Sequence, residues 1–285
     1  MEIIKALGID VGGTKTAWGV VDLDGVLLDS GSFPTPPERE TFIHALQEVV
    51  REHPSHGVGV GIAGTLSKNH QETLVCTNLP HLSELPLASL LREAGAILTS
   101  LDNDARCAMI GEVWLGAAAS YTSAVLLTLG TGVGGAVMQR GSVLPHPSDV
   151  SQELGRIMVD PSDVFPAVSG AGTIEAFIGG RNLEERLEIS LGEIAEKAEH
   201  GDAEALDTWH VISDYFQECV RAVHDQYSSK VIIIGGKGCK DLPLYLGNHE
   251  YPCPIIPAAL GSEAGIYGAA RLALDLYDEQ QTDWE

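Results

Sequence analysis

Residues 3–9 form an apolar run that stops at Asp10-Val-Gly-Gly-Thr-Lys15, and apolar positions recur through residues 16–22 and 26–33 around Asp24-Gly25. This pattern predicts a three-stranded meander. Phe42, Leu46, Val49 and Val50 recur at helical spacing and predict a helix over residues 38–53. A strand at 58–62 ending at Gly64-Thr65, a helix at 87–94, a strand at 97–101 and a helix at 105–118 follow. Near Thr122 a second αβ half begins, with strands 123–129 and 136–138, charged helices from 191 to 227, a β-branched strand at 231–234 and a last helix at 263–277. Thr35-Pro-Pro37 and Tyr251-Pro-Cys-Pro254 read as turns. The polar segment after Asp278 is expected to fray.

Three glycine-rich turns stand at strand ends. Gly12 and Gly13 carry no Cβ, so the turn there is expected to take φ > 0 and bring backbone close to a bulky anion. Successive N–H groups in such a turn, from Gly12 to Thr14, make an anion-binding concavity. Lys15 adds positive charge, and Asp10 adds a carboxylate suited to Mg²⁺ through water. Taken alone, the motif fits a plain β-hairpin better. The second turn, Thr128-Leu-Gly-Thr-Gly-Val-Gly-Gly135, lacks the Lys-Ser/Thr and following helix of a Walker loop. It also opens no helix, as a dinucleotide fold requires. The third is Gly235-Gly236, after Val231-Ile-Ile-Ile234. Three such turns suggest a nucleotide held from several sides. Between the first two lies Leu101-Asp-Asn-Asp104, whose polar residues suit either a helix cap or a carboxylate that accepts a proton from a substrate hydroxyl.

In this order the motifs resemble those of the ROK sugar kinases, within the actin-like ATPase superfamily. Asp10-Val-Gly-Gly-Thr-Lys15 resembles the family's first phosphate motif, Asn78-Leu-Pro80 its segment near the sugar, and Asn103-Asp104 its sugar-binding Asn and catalytic Asp. Gly130-Thr-Gly-Val-Gly-Gly135 resembles the second phosphate motif, Ile233-Ile-Gly-Gly236 the adenosine motif, and Leu260-Gly-Ser-Glu-Ala-Gly-Ile-Tyr-Gly-Ala-Ala270 the closing helix. The resemblance implies an α/β chain of two actin-like ATPase (ribonuclease H-like) domains flanking a central cleft. They would comprise residues 1–118, completed by helix 262–280, and residues 119–261. It implies ATP and Mg²⁺ as cofactors, held by Asp10, Gly12, Gly13, Thr14, Lys15, Gly130, Thr131, Gly132, Gly134, Gly135, Gly235 and Gly236, with Lys237 near the adenosine. Sugar contacts would come from Gly64, Thr65, Thr77, Asn78, Asn103, Glu153, Arg156 and Glu175, with Asp104 as base for the 6-hydroxyl. The implied activity is a glucose-like hexose kinase. An N-acetylmannosamine or other N-acetylhexosamine kinase is the alternative, ahead of a non-catalytic sugar sensor or a filament ATPase. A homodimer is the implied assembly.

The chain departs from the family at its zinc motif. Glu153-Leu-Gly-Arg156 has Arg where the family has a zinc-binding His, and the three cysteine positions fall on Pro166, Val168 and Thr173. No structural zinc is therefore expected, because such a site needs four N or S ligands together. His146 reads as a loop histidine. Glu175 still follows Glu153 by twenty-two residues, the family's separation of its two sugar-contacting glutamates. Three roles stay open for Arg156: pairing with Glu153 or Glu175, touching the sugar, or facing solvent.

Composition narrows the setting. A chain of 285 residues, 44% apolar, buries a large core. Its five scattered cysteines read as reduced thiols, pointing to the cytoplasm. No apolar run approaches the ~20 residues of a membrane span. With a core strand at the start of the sequence, neither a signal peptide nor a DNA-binding winged helix is expected. A formal charge of −23 argues against nucleic acid, which draws on Lys and Arg clusters.

Overall fold

The structure, a computed structural model, describes residues 3–145 and 153–282. The chain divides into unit 1, Met1–Ala119 with Ser262–Glu285, and unit 2, Ser120–Gly261.

Unit 1 begins with an antiparallel meander, β1 (Lys5–Val11), β2 (Lys15–Asp22) and β3 (Leu27–Pro34). Helix α1 (Arg39–Glu52) follows, then β4 (Gly57–Ile62), which lies parallel to β1. A small hairpin of β5 (Thr65–Leu66) and β6 (Thr73–Val75) leads to α2 (Leu87–Glu93). Strand β7 (Thr99–Asn103) pairs parallel with β4 and runs directly into α3 (Asp104–Leu115). The sheet order is β3-β2-β1-β4-β7.

Unit 2 repeats this topology. It has β8 (Ser123–Leu129), β9 (Val133–Gln139) and β10 (Ser142–Val143), then α4 (Ile174–Ile178), α5 (Gly180–Leu187), α6 (Leu191–Glu199) and α7 (Ala203–Tyr227). Strand β11 (Ile232–Gly235), α8 (Leu242–Leu246) and β12 (Ile255–Pro257) complete it, with sheet order β10-β9-β8-β11-β12. The charged helices expected over 191–227 are two, divided by Gly201 at φ +79°, after which the Asp202 carboxylate accepts the Ala205 N–H and starts α7. The chain then returns to unit 1 as α9 (Ala264–Thr282), which continues past Asp278 where fraying was expected.

Period-two alternation sorts β1 between two cores. Leu7, Ile9 and Val11 face Phe42, Leu46 and Leu91, while Ala6 faces Ile266, Ala270 and Leu274 of α9. Asp10 shares the α9 side with Ala6. That interface is built on glycine. A Cβ on Gly59 would lie 1.8 Å from the Ala269 carbonyl oxygen, one on Gly8 2.1 Å from that of Ile266, and one on Gly268 1.7 Å from that of Cys107. Backbone cannot yield as a side-chain tip can, so α9 reaches the sheet and α3 only because these residues are bare. Gly59→Ala is expected to cost about 1–3 kcal/mol or more, read from the urea midpoint. Gly192→Ala, at a helical position with no neighbour within 4 Å, is the control and should be neutral or slightly stabilising. Among the described residues, no helix is long and apolar enough to cross a membrane.

Candidate active site

In unit 1 the connection from β1 to β2 is a tight turn. The Gly12 N–H donates to the Lys15 carbonyl (3.1 Å), and a Cβ on Gly12 would lie 2.8 Å from that same oxygen. Neither Gly12 nor Gly13 takes positive φ, contrary to the expectation from sequence. Glycine is needed at position 12 for close approach, whereas Gly13 faces open space, where an added Cβ would meet nothing within 4 Å. The Gly12 N–H is spent inside the turn, so Gly13, Thr14 and Lys15, all exposed, form its outward face. Thr35, which in sequence is only part of a proline turn, sets this geometry. Its hydroxyl donates to the Gly12 carbonyl (2.7 Å) and meets the Thr16 hydroxyl (3.0 Å), and its N–H donates to the Thr14 carbonyl (3.1 Å). Thr35→Val removes the hydroxyl at nearly constant volume. On the resemblance's implication that this turn holds ATP phosphates, it is expected to raise the KM for ATP about ten-fold, the factor for one lost partly buried hydrogen bond, with kcat less affected in steady-state assays.

The junction of β7 and α3 separates three polar residues by role. Asp102 is buried and ion-paired with Arg106. Asn103 caps α3, its Oδ1 accepting from the Ala105 (3.0 Å) and Arg106 (3.2 Å) N–H groups. Its Nδ2 donates to the Gly64 carbonyl at 3.4 Å, which ties Gly64 and Thr65 of the β5 hairpin to this junction. Asp104, half-buried, is the first residue of the helix. Burial raises its pKa above the usual carboxylate value, while local N–H groups and the Asn103 side chain pull the other way. The Asp10 carboxyl is pushed up to about 7, first by burial and then by the Asp104 charge, with Lys15 opposing. Gly265 of α9 makes the space for it, since a Cβ there would lie 2.7 Å from Asp10 Cγ. Thr77 and Asn78 lie exposed beyond β6, and no hydrogen bond among the described residues joins them to Asn103 or Asp104.

In unit 2 the second glycine motif is shorter than its sequence suggested. Gly134 and Gly135 belong to β9, paired with Thr128 and Leu127, which leaves a turn of Gly130, Thr131 and Gly132. The Gly130 N–H donates to the Gly132 carbonyl (3.0 Å), and the Val133 N–H donates to Glu175 Oε2 (2.9 Å). A Cβ on Gly132 would lie 2.3 Å from that carboxylate oxygen. Glu175 therefore seats the phosphate-type turn itself, a contact that the sequence did not reveal. From α5, the Gly180 and Arg181 N–H groups hold the Gly130 and Thr131 carbonyls at 2.9 and 3.0 Å. The N–H groups of Thr131 and Gly132 are left without a protein partner among the described residues. At the end of β11, Gly236 takes φ +77° with a would-be Cβ 2.4 Å from the Leu129 carbonyl oxygen, so only glycine fits before the turn Lys237–Asp241.

Comparison with known proteins places this arrangement. The ROK family model matches residues 6–276. The chain belongs to the ROK family. It is 27% identical to the glucokinase of Thermotoga maritima, over 95% of this chain and 98% of that one. It is also 27% identical to an N-acetylmannosamine kinase of Escherichia coli, over 95% and 98%. Among solved structures, the ROK hexokinase of Thermus thermophilus superposes with a TM-score of 0.81 at 29% identity, covering 96% of this chain and 100% of that one. A ROK glucokinase of Streptomyces griseus in complex with glucose and AMPPNP gives 0.79 at 26%, covering 95% and 99%. The fold of this ROK protein is accordingly the α/β actin-like ATPase one, with the strand order repeated in each unit.

Glu153 precedes the turn Leu154–Arg156, and Arg156 Nη1 donates to the Ser169 carbonyl (3.1 Å). Pro166 and Val168 are exposed, whereas Thr173 is buried and caps α4 through the Ala176 N–H (3.3 Å). Among the described residues, no group of three or more His, Cys, Asp or Glu side chains is placed to hold a metal. His146 lies outside the described residues. For ATP and Mg²⁺ the donor set fits. Free N–H groups at Thr131 and Gly132 suit phosphate oxygens, and the raised pKa of Asp10 marks a carboxylate whose charge a cation would relieve.

Proposed function

We propose that this ROK protein, an ATP-dependent sugar kinase, moves the γ-phosphoryl group of ATP to the 6-hydroxyl of a glucose-like hexose, with Asp104 as general base. The observation that carries this reading is the division of roles at the β7–α3 junction. Asn103 satisfies the helix start, so Asp104 is not needed as its cap and keeps a carboxyl whose proton affinity burial has raised. In the reaction the 6-hydroxyl proton passes to the Asp104 carboxylate as that oxygen attacks the γ-phosphorus and the bond to ADP breaks. Unit 1 contributes Asp10, Gly13, Thr14 and Lys15 toward phosphates and cation, with Asn103, Gly64, Thr65, Thr77 and Asn78 toward the sugar. Unit 2 contributes the Thr131 and Gly132 N–H groups to phosphate, Gly235, Gly236 and Lys237 beside the adenosine, and Glu153, Arg156 and Glu175 toward sugar hydroxyls. Bound Mg²⁺ would neutralise charge between the phosphates, held by Asp10 through water.

Glucose is favoured by the glucokinases among its relatives. N-acetylmannosamine is the second reading, because kinases for that sugar are as similar to this chain at 27%. The test is ADP release with ATP and glucose, mannose, fructose, N-acetylglucosamine or N-acetylmannosamine, scored by kcat/KM. Release without any sugar, or none with every sugar, would sink the reading. The protein is proposed to work as a homodimer, which light scattering checks, and in the cytoplasm, where its free thiols stay reduced.

A further inference from the structure

Arg186 on α5 and Asp163 form an ion pair inside unit 2, each side chain only 12% exposed. The contact is a two-pronged fork, Nη1 to Oδ1 at 3.0 Å and Nη2 to Oδ2 at 2.7 Å. Phe165 and Phe177 pack against the guanidinium, their ring centroids 4.4 and 4.6 Å from its carbon. Arg186 holds the Asp163 carboxyl below the usual carboxylate range, as a committed ion pair should. Two further bonds reach α4 and the residue before its cap. Asp163 Oδ2 accepts the Gly172 N–H at 3.0 Å, and Arg186 Nη2 donates to the Ala176 carbonyl at 3.3 Å. Gly172 precedes the helix cap Thr173, and Ala176 follows Glu175, so the pair grips the chain on both sides of Glu175. The Glu175 carboxylate in turn holds the Val133 N–H at the edge of the Gly130–Gly132 turn.

We propose that Asp163 and Arg186 are positioning residues that fix Glu175 against the glycine turn, an anchor made of an ion pair between aromatic rings. Its kinetic consequence rests on the sugar-kinase reading; its geometry does not. Lysine at 186 would keep the charge and lose the planar fork, which guards against mistaking an unfolded variant for a mispositioned one. The experiment compares full-length wild type, Arg186→Lys, Arg186→Met and Asp163→Asn, each also in a Glu175→Gln background. Hydrogen exchange is followed at residues 172–178 and at the Val133 amide, and calorimetry measures binding of glucose and of N-acetylmannosamine.

Arg186→Lys is expected to speed exchange at those positions while β8 stays protected. It should weaken sugar binding about ten-fold where Glu175 is present, the factor for one misplaced hydrogen bond to a charged group, and not further where it is absent. Faster exchange throughout β8 and α7, or equal loss of affinity in both backgrounds, would overturn the proposal by making the pair a general stabiliser. If wild type binds neither sugar while the local exchange effect persists, the anchor stands and the sugar reading is what fails.

Discussion

Asp104→Asn is expected to lower kcat by about 10²–10⁴-fold while the sugar still binds. Asparagine has nearly the same shape, and the start of α3 is already capped by Asn103, so the helix should form as before. What disappears is the proton acceptor. In wild type, kcat should rise with pH as Asp104 ionises, with a midpoint above the usual carboxylate range because burial disfavours the charged form. The residual activity of the variant should lack that limb. A second readout is independent of turnover. The Asp104 charge is the second cause of the raised Asp10 pKa, so its removal should bring Asp10 back toward the ordinary value. Sugar calorimetry, coupled ADP release across pH and carboxylate titration by NMR test these points together. An undiminished kcat would take Asp104 out of the chemistry.

How much of this was legible in the sequence depends on which force set each feature. Strands β1, β2, β4, β7, β8 and β11 and helix α1 follow from apolar runs and spacing, because their apolar residues are buried, whereas β10 and β12, with no buried residue, were not anticipated. Gly236 was legible as a glycine turn, and it does take positive φ. Gly12 and Gly13 look the same in sequence yet do not, because close approach and left-handed backbone leave the same residue type behind. Strand β9 is longer than its apolar residues indicate, since Gly134 and Gly135 have no side chain to show alternation. Helices α4 and α5 leave no periodic trace because Gly179-Gly180 divides them into pieces of five and eight residues. For Asn103 and Asp104, capping and chemistry both suit either residue type, and only the backbone geometry divides the roles. Thr35, Gly265 and the Arg186–Asp163 pair act across long sequence separations, where no local pattern could announce them.

Asp10→Asn should separate stability from activity, and the sign follows from linkage. An aspartate ordinarily titrates at 3.8, and burial beside Asp104 pushes Asp10 up to about 7 in the folded chain. Between those values the folded state binds more protons than the unfolded one, so its stability falls as pH rises and levels off above about 7. The contribution of this group is fully present below pH 3.8 and lost above the folded value. Removing the charge should therefore stabilise the ligand-free protein at pH 8–9, by on the order of 2–4 kcal/mol from the size of the displacement. The same change should have little effect below about pH 4, where the native carboxyl is already protonated. Activity should move the opposite way, falling by about 10²-fold or more, because in the proposed function this same carboxylate orients the cation at the phosphates. Excess Mg²⁺ with ATP should raise the wild-type melting temperature at pH 8 and release protons on binding near pH 6, where the Asp10 carboxyl is still mostly protonated, and do neither to the same degree in the variant. Thermal melts with and without Mg²⁺–ATP from pH 5 to 9 read both effects. A variant less stable than wild type at pH 8 would mean that the carboxylate is held by favourable contacts rather than tolerated, and its part in cation binding would have to be argued afresh.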